Sequence, residues 1–215
     1  SVNECPSLDL LLKAPPQLRG FEADLFTRVL FGCLVDADWS DTSAHQRSIR
    51  GLPPESEPPP LEPAKRLSKV IAHIAEKATQ GKDSPLTRIR NEVRDASLAA
   101  AESPTGVYSL TVPTGGGKTL SALAFALQHA ANHKLRRVIY AAPYMTILEQ
   151  TADVIRSAIG VGRESLEVFA HYSLAEPPGD ADGNETDRVA AARRAEAWDA
   201  PIIVTTNVQF FESLF

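Results

Sequence analysis

Seven consecutive residues, Pro113-Thr114-Gly115-Gly116-Gly117-Lys118-Thr119, combine types and spacing suited to holding a nucleoside triphosphate. Such a ligand needs backbone amides that approach its phosphate oxygens, a cation for the β- and γ-phosphates, and a hydroxyl for the bridging magnesium. Glycines at 115, 116 and 117 permit both the close approach and the positive φ angles of such a loop. Lys118 is placed to neutralise phosphate and is the expected catalytic residue, while Thr119 is placed to ligate magnesium. Thr114, Gly115, Gly116, Gly117, Lys118 and Thr119 together form the expected cofactor site, with ATP and magnesium as cofactors. The helix that follows adds the partial positive charge of its N-terminus. A glycine-rich turn before a buried helix is the structural alternative, and it does not by itself call for the lysine–threonine pair. The general form G-x-x-x-x-G-K-[ST] would also place glycine where this chain has Val112.

A phosphate loop must be held by a strand before it and a helix after it. Val107–Val112 is a β-like run, and a long apolar helix is predicted from the loop to about Ala131. Arg137–Ala142 reads as a strand, Thr146 to Ile159 as a helix, and Leu166–Ala170 and Pro201–Thr205 as short strands. Strands alternating with helices predict an α/β fold, a parallel sheet covered on both faces. Upstream, Pro85–Ala101 reads as a helix with Pro85 in its first turn behind Ser84 as N-cap. Another helix is expected from Ala64, with Leu67, Ile71 and Ile74 on one side. Residues 51–63 contain six prolines and are expected to form an exposed, extended linker. Residues 21–38 predict an amphipathic helix, with Leu25, Phe26, Val29, Leu30, Cys33 and Leu34 in its stripe. It is expected to end in the acidic cluster of Asp36, Asp38 and Asp41 around Trp39. Residues 175–187, rich in Pro, Gly, Asp and Asn, read as a mobile loop.

Composition narrows the class. The formal net charge of −5 opposes a broad basic face for duplex DNA, but backbone amides, hydroxyls and helix N-termini can hold phosphates without changing net charge. No run approaches twenty uninterrupted apolar residues, the N-terminus lacks the order of a signal peptide, and Cys5 and Cys33 suggest neither a metal site nor a disulfide framework. A soluble, cytoplasmic protein without membrane partners is expected.

The stretch from Tyr108 to Phe215 resembles the helicase part of the type I CRISPR-associated helicase–nucleases, an HD-type nuclease joined to a superfamily 2 helicase. The resembling residues are Ser109-Leu110-Thr111-Val112 through Lys118-Thr119, Tyr140-Ala141-Ala142-Pro143-Tyr144 with Ile147, Glu149 and Gln150, His171-Tyr172-Ser173, and Thr205-Thr206-Asn207 with Gln209. They fall in family order with family-like spacing, nearest to the subtype I-C form, and cover about half the chain. In superfamily 2 the first glycine of the phosphate motif is commonly absent, which accommodates Val112. The resemblance implies a P-loop RecA-like parallel sheet with flanking helices, here an incomplete first helicase lobe. It also implies a small α-helical remnant of an HD domain before that lobe. The corresponding ranges are 1–50 for the end of the HD domain, 51–83 for a proline-rich linker and connecting helix, and 84–215 for the first lobe.

Site assignments follow from the same resemblance. Pro143, Tyr144, Gln150, Ser173, Thr205 and Thr206 would contact single-stranded DNA. Read alone, Pro143-Tyr144 is equally an ordinary strand–helix junction capped by Thr146, and paired threonines commonly end strands. His171 reads as a satisfied turn histidine. Leu34-Val35-Asp36-Ala37-Asp38-Trp39 resembles the end of the HD domain, where an aspartate completes a site for a divalent transition metal. The family match selects Asp38, whereas a helical wheel brings Asp36 nearer the apolar stripe; as surface features, both would only solvate a helix. Arg88 or Arg90 could approach adenine or could be plain surface charges.

None of His45, His73, His129, His133 and His171 is followed by aspartate, and the sequence contains no adjacent Asp-Glu pair. The chain is therefore expected to be an internal piece that lacks most nuclease ligands and the acidic ATPase motif. The implied partners are single-stranded DNA and an RNA-guided CRISPR surveillance complex, with self-association through unpaired sheet edges. Another superfamily 2 ATPase, or a non-catalytic nucleotide-binding or interaction module, would be the alternatives.

Overall fold

The protein is described here from a computed structural model, covering residues 19–54, 56–80, 85–171 and 198–214. It divides into two compact units, Ser1–Pro54 and Glu55–Phe215, so the division falls inside the proline-rich stretch. In the first unit, helix α1 runs Phe21–Ile49. It does not stop at the acidic cluster, as the sequence suggested. Asp36, Asp38 and Asp41 lie within it, because no proline interrupts this stretch and each aspartate costs only about 0.5 kcal/mol of helix propensity. The helix closes at Gly51, where the Leu52 N–H returns to the Arg47 carbonyl at 2.9 Å and the Gly51 N–H to that of Ser48 at 3.1 Å.

The second unit holds helices α2 (Pro63–Gln80), α3 (Pro85–Ala100) and α4 (Lys118–His133), strand β1 (Val138–Ala142), helix α5 (Met145–Ile159), strands β2 (Val168–His171) and β3 (Ile202–Thr206), and helix α6 (Asn207–Leu214). The strands form one parallel sheet in the order β1-β3-β2, with Ala142 level with Thr206 and His171 level with Thr205. A sheet of this kind is covered on both faces, so its middle strand reads as an unbroken apolar run; Ile202, Ile203 and Val204 are fully buried accordingly. The core sets Leu127 of α4 and Leu148, Ala152, Ile155 and Ile159 of α5 against Val168, Ile202 and Val204. Val70 of α2 belongs to the same cluster, with Leu67, Ile71 and Ile74 beside it. The helix expected to connect two domains thus packs on the lobe. Arg66 reinforces it, buried in an ion pair with Glu167 and donating from Nη1 to the Ile159 carbonyl at 3.4 Å.

Val107–Val112, expected as the strand before the phosphate loop, is not a strand. A strand exists through its ladder, and this segment finds no partner among the described residues. Val107 is fully exposed; the segment is held instead by Tyr108, whose ring meets Phe125 of α4 at 5.2 Å and whose hydroxyl donates to the Pro104 carbonyl. The remaining strands and helices begin and end within two residues of their expected limits. α6 was not anticipated, and residues 175–187 lie outside the described part.

Candidate nucleotide site and strand-end surface

The phosphate loop is a turn followed by a helix start. Pro113 accepts from the Gly116 N–H at 3.1 Å, closing a four-residue turn whose third residue, Gly115, has φ +84°. That is the arrangement of a type II turn, which needs glycine at this place. Gly117 follows in the left-handed region, with φ 82° and ψ 20°, as N-cap of α4, and its carbonyl accepts the first helical bond from Ser121 N–H at 3.1 Å. Among the described residues, no side chain caps α4. Its leading amides are the orphan donors of a helix N-terminus, aligned with the positive end of the dipole.

Lys118, Thr119 and Thr114 open into a cavity of about 450 Å³ between the loop and helices α2 and α3. Lys77 of α2 and Arg90, Asn91 and Arg94 of α3 form the opposite wall. Four cations therefore line the cavity and no described carboxylate does, a charge balance suited to a polyphosphate. Arg94 is ion-paired to Asp95 at 2.7 Å and also donates to Asn91 Oδ1 at 3.0 Å. Arg90 donates from Nε to the Gly115 carbonyl at 2.9 Å. Of the two arginines considered from sequence, Arg90 is on this wall and Arg88 is not. Lys77, Asn91 and Arg94 were not anticipated. For Asn91 and Arg94 the signal was a polar stripe, since Thr87, Arg90, Asn91 and Arg94 recur on one face of α3 at helical spacing.

Residues 91–215 match the DEAD/DEAH box helicase family, more than half of the chain, and they contain the whole loop. The chain belongs to this family. Helicases of this family use ATP, and the parallel sheet with flanking helices is part of a RecA-like helicase domain. Among curated proteins, the CRISPR-associated nuclease/helicase Cas3 of Haloferax volcanii is 27% identical over 195 residues, covering 84% of this chain. The chain spans 19% of that protein's length.

In this helicase lobe the strands all end at one edge of the sheet, where open α/β folds gather their ligands. Pro143 and Tyr144 follow β1, both exposed, and Tyr144 is the N-cap of α5 without a side-chain cap bond. Thr146 therefore lies inside the first turn and does not cap the helix as expected. Gln150 is exposed farther along α5. The two threonines differ from expectation. Thr205 has 0% exposure and its Oγ1 has no partner among the described residues, so its hydroxyl is closed off from the strand-end surface. It is enclosed because β3 is the middle strand. Thr206 is half-buried, and its hydroxyl accepts from the Gln209 N–H at 3.0 Å, capping α6. His171, beside Thr205 in register, is not the satisfied histidine expected, because its buried Nδ1 has no partner among the described residues. Burial holds its pKa below the ordinary histidine value. Ser173 lies outside the described residues.

Asp36 and Asp38 are both exposed on α1. Among the described residues, no three His, Cys, Asp or Glu side chains come together to hold a metal. No described helix is long and apolar enough to cross a membrane.

Proposed function

We propose that this chain is the ATP-binding part of a single-stranded DNA translocase coupled to an HD nuclease, acting in CRISPR interference on DNA opened by an RNA-guided surveillance complex. The observation that carries the reading is the placement of Lys118 and Thr119 at the head of α4, facing a cavity walled by cations. Lys118 would hold the β- and γ-phosphates and Thr119 the magnesium, which supplies charge neutralisation across those phosphates. The likeness to the Haloferax volcanii nuclease/helicase supports the DNA and CRISPR part.

Pro143, Tyr144, Gln150 and Thr206 are the proposed DNA contacts on the strand-end surface, and Ser173 is assigned with them by resemblance. Their support is location and exposure, together with the uncapped amides of α5, which suit a phosphate backbone. Asp38, with Asp36 as its rival, is assigned to the nuclease metal by resemblance and would need ligands from outside this group of residues. Without an adjacent Asp-Glu pair, the chain by itself is expected to bind nucleotide without hydrolysing it.

Titration calorimetry with magnesium and ATP tests the central assignment. Lys118→Ala should weaken binding by roughly tenfold or more, the scale of a lost charge-assisted contact. Equal affinity in the two proteins would refute the role given to Lys118.

A further inference from the structure

We propose that Arg90 is a positioning residue of the nucleotide site: it fixes the phosphate loop to α3 by holding the Gly115 carbonyl and backing Gly117. The inference rests on the nucleotide reading above and adds what sets the loop's shape.

A loop that turns its amides toward an anion must turn carbonyls away, and each of those needs a donor. Here the Pro113 carbonyl takes the Gly116 N–H and the Gly117 carbonyl takes the Ser121 N–H, both from nearby in the chain. Gly115 differs. Its carbonyl is held by Arg90 Nε at 2.9 Å, across 25 residues of sequence. The same side chain lies against Gly117, where an added Cβ would stand 3.3 Å from Arg90 Cγ. One arginine therefore touches the loop at two residues, and those two carry the positive φ angles. The bond also orients the Gly115–Gly116 peptide whose N–H closes the turn. α3 is itself anchored to α4, because His129 Nδ1 and Asn132 Nδ2 both meet the Ala101 carbonyl at 3.1 Å. The loop is thus braced from two sides, by the helix it opens and by Arg90.

The donor is Nε, and this makes the proposal separable from a role for the guanidinium charge. Glutamine carries its amide nitrogen at the same distance along the side chain as Nε in arginine. Methionine matches the length without a donor, and all three residues have similar helix propensity. Magnesium–ADP affinity of the unmodified protein, Arg90→Met, Arg90→Gln and Lys118→Ala, measured by calorimetry, gives the first readout. Arg90→Met should bind about tenfold more weakly with an unchanged unfolding midpoint, and Arg90→Gln should recover to within about threefold. Full affinity in Arg90→Met overturns the proposal. So does an Arg90→Gln as weak as Arg90→Met, which would make Arg90 a direct cation for the nucleotide. The amide resonances of Gly115, Gly116 and Gly117 without nucleotide give the second readout. They should move in Arg90→Met and return in Arg90→Gln; unmoved signals in Arg90→Met overturn the brace even if the protein binds no nucleotide. Failure of the nucleotide reading looks different: an unmodified protein that does not bind, or a Lys118→Ala that binds equally well.

Discussion

Gly115 and Gly117 hold φ angles of +84° and +82°, where any side chain is strained, but Gly116 between them is needed for another reason. A Cβ on Gly116 would stand 2.3 Å from Val112 Cγ1 and 3.1 Å from the Pro113 carbonyl oxygen. The valine methyl can rotate away, whereas the carbonyl is the acceptor that closes the turn and cannot move without opening it. Gly116→Ala is therefore expected to relieve the clash by distorting the loop, leaving the core packing as it is. Nucleotide affinity should drop by roughly tenfold or more while the urea unfolding midpoint changes little. A Gly116→Ala variant that binds normally but unfolds early would show that Gly116 serves packing and not the site. Sequence alone showed that glycines were required here. It could not separate the two conformational positions from the steric one, because that depends on where Val112 lies once its segment fails to pair.

At the scale of elements, α2 shows how a charged residue can belong to the core. Lys65 and Arg66 are adjacent, yet Lys65 is exposed with Glu62 at 2.5 Å while Arg66 is 7% exposed, paired with Glu167 next to β2 and bonded to the end of α5. Removing one partner of a buried pair leaves the other charge desolvated and unmatched. Arg66→Ala should destabilise the second unit by about 3–5 kcal/mol in urea denaturation, against less than about 1 kcal/mol for Lys65→Ala. Equal, small effects would mean that α2 is only loosely attached to the lobe. The apolar spacing of Leu67, Ile71 and Ile74 announced this helix, but a Lys-Arg pair beside a proline-rich stretch reads as solvent-facing until its partner is known. The same reasoning explains other outcomes. α4, α5 and the three paired strands were legible because local periodicity and pairing agree. Val107–Val112 was misread because β-propensity cannot supply a missing neighbour, and the end of α1 was misplaced because an acidic cluster is not a stop signal. Thr205 was assigned by resemblance, while its burial came from strand order, which the sequence does not display.

For the whole molecule, those unpaired features become a question of association. β1 and β2 each pair only with β3, so each has one edge without a strand partner among the described residues. Beside the open ladder of β1, Ile139 is 42% exposed, and Val107, Leu110 and Leu135 add apolar surface to the same unit. In the first unit, α1 separately exposes Phe21, Val29, Leu30, Phe31 and Leu34. Monomers seldom leave this much apolar surface uncovered, and an open flat edge is a template for another chain. The protein should therefore self-associate as its concentration rises, giving a light-scattering mass above that of the 23.2 kDa chain. Ile139→Lys, which puts a charge on the open edge, should lower that mass if pairing runs through β1. An unchanged mass in this variant would shift the association to α1, where Leu30→Glu and Leu34→Glu are the matching substitutions. A monomer at every concentration would show that both surfaces are tolerated in water, and self-association would then be withdrawn.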